Sequence, residues 1–144
     1  MQGVEKDLWA DYVETGQVKY IFWPVINHGQ GSFNATLVME CAGQQDPALA
    51  WTAHDILFEN LSALYRGDLD LYLSIAEQTG LNLDEFQTCF GSQEAIDLIQ
   101  NLDQIRRDKG VTSQPIFEFV GVGFLLGSQP KATFDDAIMT ILSQ

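Results

Sequence analysis

Positive charge is scarce in this sequence. Seven Lys and Arg stand against 20 Asp and Glu among 144 residues, a formal charge of −13. A field of that sign repels phosphates, so nucleic acid and anionic membrane are poor partners, and cationic ones are favoured. The acids are scattered rather than run together, the pattern of a solvated surface. Long apolar runs are missing too. None approaches the roughly 18–20 residues that a membrane helix needs, so membrane insertion is not expected. The opening Met1-Gln2-Gly3-Val4-Glu5-Lys6-Asp7 is polar and carries no signal-peptide pattern. Cysteine is limited to Cys41 and Cys89, and no Cys-x-x-Cys occurs. With only His28 and His54 beside them, a structural zinc site is not expected, and no motif points to a cofactor. The two cysteines are either buried thiols or one disulfide. There is no low-complexity segment, Pro/Gly/Ser linker or internal repeat, so residues 1–144 read as one domain.

Apolar residues make up 46% of the chain, enough for a well-filled core. Val4, Leu8 and Tyr12 recur four apart and predict a helix over 4–14, stopped by Thr15-Gly16. Val18-Lys19-Tyr20-Ile21-Phe22-Trp23 is a β-rich run ending at Pro24. A long helical block follows. Phe33, Leu37, Val38 and Cys41 share one helical face. Asp46-Pro47 reads as an N-cap with proline at the first helical position. Ala50, Ala53, His54, Leu57, Phe58 and Leu61 share the next face. Residues 68–79 form another helix with Leu69, Tyr72, Leu73 and Ala76 inward. Asn82 with Glu85 resembles a capping box before Phe86, Cys89 and Phe90. Ser92 caps a helix striped by Ala95, Leu98, Ile99 and Leu102, whose terminal Arg106, Arg107 and Lys109 suit the helix dipole. The period then changes. Residues 116–120 and 122–126 read as an antiparallel hairpin around Gly121. Thr133 with Asp136 opens a last helix faced by Phe134, Ala137, Ile138, Ile141 and Leu142.

Several features carry little chemistry. His54 on an apolar face reads as a satisfied core histidine, and His28 as a surface residue. Gly29-Gln30-Gly31 lacks the Lys-Ser/Thr of a phosphate loop. Asn34-Ala35-Thr36 and Asn60-Leu61-Ser62 match the glycosylation triplet inside predicted helices and read as chance. Asp135-Asp136 reads as charge at a helix N-terminus.

Four blocks stand in order along the chain: Tyr12-Val13-Glu14-Thr15-Gly16-Gln17-Val18-Lys19-Tyr20; Glu40-Cys41-Ala42-Gly43-Gln44-Gln45 with Trp51-Thr52-Ala53-His54-Asp55-Ile56-Leu57-Phe58-Glu59-Asn60; Gly80-Leu81-Asn82-Leu83-Asp84-Glu85-Phe86-Gln87-Thr88-Cys89; and Gly110-Val111-Thr112-Ser113-Gln114-Pro115-Ile116-Phe117. Together they resemble the DsbA-like branch of the thioredoxin superfamily, from about Leu8 to Leu142. The resemblance implies an α/β, thioredoxin-like fold. It implies a helical insertion over about 31–110 and an N-terminally truncated sheet of about three strands. The family's chemistry belongs to a Cys-x-x-Cys that opens a helix after a central strand, where the dipole lowers the first thiol's pKa. Here the first helix begins almost at Met1, so that strand and motif are expected upstream of these residues, truncated or absent. Neither Cys41 nor Cys89 matches the catalytic positions.

What the resemblance implies for this chain is therefore limited. No catalytic residue is expected in it, and by itself it is expected to be redox-inactive, although its family is one of thiol–disulfide oxidoreductases. Cys41 and Cys89 match positions that family members join as a structural disulfide, which would place the protein in an extracytoplasmic, oxidising compartment. Ser113, Gln114 and Pro115 match the cis-proline loop, with Ser113 for the usual Gly and Gln114 for the usual Thr or Val. A plain turn proline is the other reading of Pro115. The alternative function is a non-catalytic interaction domain or subunit that uses the sheet edge and the 111–116 loop. Its partner would be a protein or peptide, a strand donor or a second copy. A glutathione-transferase kappa-like or isomerase relative is a third reading, against which the cysteine pattern argues.

Overall fold

The apolar spacing along 4–14 builds a helix that is not one regular rod. In a computed structural model, which describes residues 3–64 and 69–143, α1 (Val4–Leu8) runs into a π-helical segment, Trp9–Val13. The Glu14 N–H reaches back five residues to the Trp9 carbonyl at 3.0 Å. Leu8 and Tyr12 are buried, and Gly16, at φ +75°, ends the segment. Met1, at the expected start, lies outside the described residues.

Val18–Trp23, expected as a strand, forms no β-ladder among the described residues. β propensity does not by itself make a strand, because the backbone needs a hydrogen-bonding neighbour. Among the described residues the sheet has two strands rather than about three: β1 (Ile116–Phe119) and β2 (Gly123–Leu126). The Gln17 and Val18 N–H groups instead both donate to the Tyr12 carbonyl at 2.9 Å.

The described residues of Met1–Phe22 and Lys109–Gln144 form one compact unit, and those of Trp23–Asp108 a second. The second is the helical unit. It contains α2 (Gln30–Gln45), α3 (Pro47–Glu59), α4 (Leu61–Leu64), α5 (Leu69–Thr79), α6 (Leu83–Phe90) and α7 (Gln93–Asp108). Three caps follow from local sequence. Asp46 Oδ1 accepts from Ala48 N at 2.7 Å, Asn82 Oδ1 from Asp84 N and Glu85 N, and Ser92 Oγ from Ala95 N at 3.2 Å. Val38, Cys41, Ala53, Tyr72, Ile75 and Phe86 are central to its core.

Some inward assignments change. Leu69 is 56% exposed, and the buried stripe of α5 is Tyr72, Ile75, Ala76 and Thr79. A helical side chain covers the turn N-terminal to its own Cα, so the first residue of α5 points past the end of the core. Asp68, the expected first residue, lies outside the described residues. Leu61 leaves the α3 face because α3 ends at Glu59, and it is exposed on α4. Leu98 is also exposed. Arg106 and Arg107 turn back onto Asp103 rather than only facing the helix end. Arg106 Nε meets Oδ1 at 2.8 Å, and Arg107 Nη2 meets Oδ2 at 2.7 Å. Burial pushes the Asp103 carboxyl up, but the two guanidiniums outweigh it and hold the group below the usual range. His54 is buried, with Nδ1 3.1 Å from Asp55 Oδ1 and its ring 4.5 Å from that of Phe58. His28 is exposed.

In the other unit the hairpin pairs Ile116 with Leu126, Phe117 with Leu125, Glu118 with Phe124 and Phe119 with Gly123. Its tip is Val120-Gly121-Val122. Val122 N donates to the Phe119 carbonyl at 2.8 Å, and Gly121 takes φ +79°, as the third position of a type II turn requires. Phe117, Phe119 and Leu125 pack with Leu8, Tyr12, Phe134 and Ile138. The last helix, α8, runs Lys131–Leu142. It starts after Pro130, two residues before Thr133, and Leu142 is exposed.

That early start moves Asp135 and Asp136 beyond the first turn of α8, so they are not its N-terminal charges. Asp135 instead joins a small network. Lys131 Nζ lies 2.7 Å from Asp135 Oδ1 and 2.8 Å from Asp11 Oδ2, and the Tyr12 hydroxyl donates to Asp135 at 2.8 Å. The Lys131 hydrogen bond, then that of Tyr12, hold the Asp135 carboxyl below the usual range. The same Asp135 bond is the first cause that pushes the Tyr12 phenol up. A carboxyl depressed by folding stabilises the protein above its unfolded pKa, and that contribution is lost as pH falls through the folded value. Asp135→Asn is therefore expected to lower the urea midpoint at pH 7 and to lose less on further acidification than the parent. Equal acid losses in the two proteins would sink this assignment.

Candidate functional site

Two places carry the chemistry-bearing residues, one in each unit. In the helical unit Cys41 and Cys89 are joined, with Cα atoms 5.7 Å apart. Cys41 is 1% exposed on α2, and Cys89 is half-buried on α6. Among the described residues there is no free cysteine. The bridge borders an open depression of about 510 Å³ that Gln44, Gln45, Asp84, Glu85, Thr88 and Glu94 also line. Gln45 clamps the start of α6: its Oε1 accepts from Asn82 N at 2.9 Å and its Nε2 donates to Asn82 O at 3.1 Å.

The electrostatics of this bridge are opposite to those of an attacking thiolate. Thiol pKa values fall at helix N-termini and beside cations. Cys41 is the twelfth of the 16 residues of α2, and Cys89 the seventh of the eight of α6. Both therefore sit in the half of a helix where the dipole is negative. The charged residues around the depression are the carboxylates Asp84, Glu85 and Glu94.

The second place is the loop before β1. Gln114–Pro115 is a cis peptide bond, and residues 112–115 are exposed. The loop is held at both ends. Gly127 N donates to the Pro115 carbonyl at 2.9 Å, and Lys109 Nζ bonds both Glu118 carboxylate oxygens at 3.0 Å. The Gly127–Pro115 bond also sets the parity of the hairpin. Bonded and non-bonded pairs alternate, so Phe117 and Phe119 bond inward to β2. The N–H and C=O groups of Ile116 and Glu118 then point to the outer edge of β1, continuous with the loop. An extended peptide laid along that edge would find donors and acceptors in register.

Among the described residues no group of three or more His, Cys, Asp or Glu is arranged to hold a metal. No helix among them is long and apolar enough to cross a membrane. No sequence pattern marks the Asp11–Lys131 contact or the Gln45 clamp. Only the Lys131–Asp135 spacing of four carried a local signal.

The sequence profile of the family described as Thioredoxin matches residues 1–137. This chain belongs to the thioredoxin family. Within that family its fold is DsbA-like. A crystal structure of Wolbachia pipientis alpha-DsbA1 superposes with a TM-score of 0.77 at 20% identity, covering 96% of this chain and 75% of that one. Disulfide bond formation protein D of Bacillus subtilis is 41% identical over 49 residues, 34% of this chain. The matched stretch spans 22% of that protein's length. Among the described residues its sheet has two antiparallel strands.

Proposed function

We propose that these 144 residues are a relative of the protein thiol–disulfide oxidoreductases that carries no redox nucleophile of its own. The position of Cys41 and Cys89, late in their helices and beside three carboxylates, carries this reading. In it the bridge staples α2 to α6, and the protein works in an extracytoplasmic, oxidising compartment where such a bridge persists. Ser113, Gln114 and Pro115 form the surface that meets an extended peptide, and no residue of the chain attacks it.

The test is insulin reduction by dithiol. The full chain is expected to leave the precipitation rate at the uncatalysed value. Dithiol-dependent acceleration that scales with protein concentration would overturn the reading.

A second reading is favoured by the outward-facing groups of Ile116 and Glu118. In it the chain is a non-catalytic interaction domain or subunit whose β1 edge and 111–116 loop accept a partner strand.

A further inference from the structure

β2 has an outer edge of its own, away from the proline loop. The parity that turns Ile116 and Glu118 outward turns Phe124 and Leu126 outward as well. The Leu126 carbonyl already accepts from Gln129 Nε2 at 2.7 Å, which leaves its N–H and both groups of Phe124 along that edge. The side chains beside it are apolar: Phe124 is 51% exposed and Leu126 61%. Exposed apolar edges invite strand pairing, and proteins usually blunt them with charge or proline. β2 has neither.

The edge opens onto a groove of about 400 Å³ between β2 and α8, lined by Gly123, Phe124, Leu125, Asp136, Ala137 and Ile141 among others. Small residues make the space. A Cβ built on Gly123 meets nothing within 4 Å, and Ala137 faces the same groove from α8. Gly123 is not at positive φ, so its backbone does not require glycine. The missing side chain is a property of the groove rather than of the turn.

We propose that this groove takes a β-strand from another protein, apolar at alternate positions and carrying a Lys or Arg. Backbone pairing to Phe124 and Leu126 would hold the strand, and alternate side chains would fill the space over Gly123 and Ala137. Among the described residues lining the groove, Asp136 alone is charged, and a basic residue in the strand pairs with it. A second copy of this chain is the poorer occupant, because each copy carries −13 and the two fields repel. The proposal uses a different edge from the proline loop, and it stands or falls independently of the redox reading.

A displayed library of random 12-residue peptides, panned on the full chain, tests it. Enriched peptides are expected to alternate apolar residues and to contain Lys or Arg. The bound synthetic peptide is expected to shift the backbone amide signals of Phe124 and Leu126. Gly123→Val, which fills the groove, and Asp136→Lys, on the exposed helix surface, are each expected to weaken binding at least tenfold. The amide spectrum of each variant reports that it is folded. Absence of enrichment over a blank surface would overturn the proposal, as would binding that survives both substitutions. Sedimentation showing a dimer that both substitutions dissociate would overturn it in favour of a second copy.

Discussion

Reduction of the Cys41–Cys89 bridge, or its replacement by Cys41→Ala with Cys89→Ala, is expected to cost about 4 kcal/mol of stability on the loop-entropy model. The bridge closes a separation of 48 residues, and most of the core of the helical unit lies within or beside that loop. Freeing the loop enlarges the unfolded ensemble, so the effect acts mainly on the denatured state. The denatured chain then exposes more surface, and the urea m-value is expected to rise as the midpoint falls. In melting temperature the loss corresponds to roughly 10 °C for a chain of this size. Unreduced protein unfolded in guanidinium should give no reaction with a thiol reagent. Equal urea midpoints for oxidised and reduced protein would remove the staple from the account of this fold.

Phe134→Ala is expected to cost about 3–5 kcal/mol, the range for deleting a buried aromatic ring. Phe134 is 1% exposed and meets Phe117 edge-on, with centroids 4.7 Å apart. Leu8, Tyr12 and Ile138 complete the buried part of this cluster. A core this small has few side chains that could relax into the space. A two-stranded hairpin has little stability without an apolar face to pack on. Hydrogen exchange should therefore show protection lost first in β1 and β2, while amides of α2 and α5 keep theirs. Phe134→Leu, which retains most of the volume, should cost much less, about 1.5 kcal/mol or under. A loss below about 1 kcal/mol for the alanine variant would show that this cluster does not hold the hairpin.

The features legible in the sequence are those decided locally. Asp46-Pro47, Asn82 with Glu85, and Ser92 each cap the helix that follows, because a cap needs only its own first turn. The hairpin register was readable to within a residue from the alternation around Gly121. The 18–23 run reads as a strand yet forms no ladder among the described residues, because a ladder is a property of two segments and one segment shows only its propensity. Leu69 and Leu61 fit an apolar periodicity yet are exposed, because periodicity gives the face of a helix but not where the helix ends. Asp103 and Arg106 have the spacing of a pair, yet their burial depends on what packs around α7. Asp11 and Lys131 are 120 positions apart, and nothing local joins them. At the candidate site, the residues alone left Cys41 and Cys89 as either thiols or a bridge. The resemblance, not the spacing, singled out Ser113-Gln114-Pro115.

The division into units has a consequence for how the protein is made. Trp23–Asp108 is continuous in sequence, so its helices are all synthesised before the hairpin and α8 that the other unit needs. The other unit is built from the two ends of the chain. Leu8 and Tyr12 are synthesised before the helical unit, but they must wait for Phe134 and Ile138 to arrive before they are buried. The Lys131 link to Asp11 forms only after 120 further residues have been joined. A chain cut before α8 would therefore leave Leu8 and Tyr12 without the side chains that bury them, an exposed apolar surface of the kind a chaperone binds.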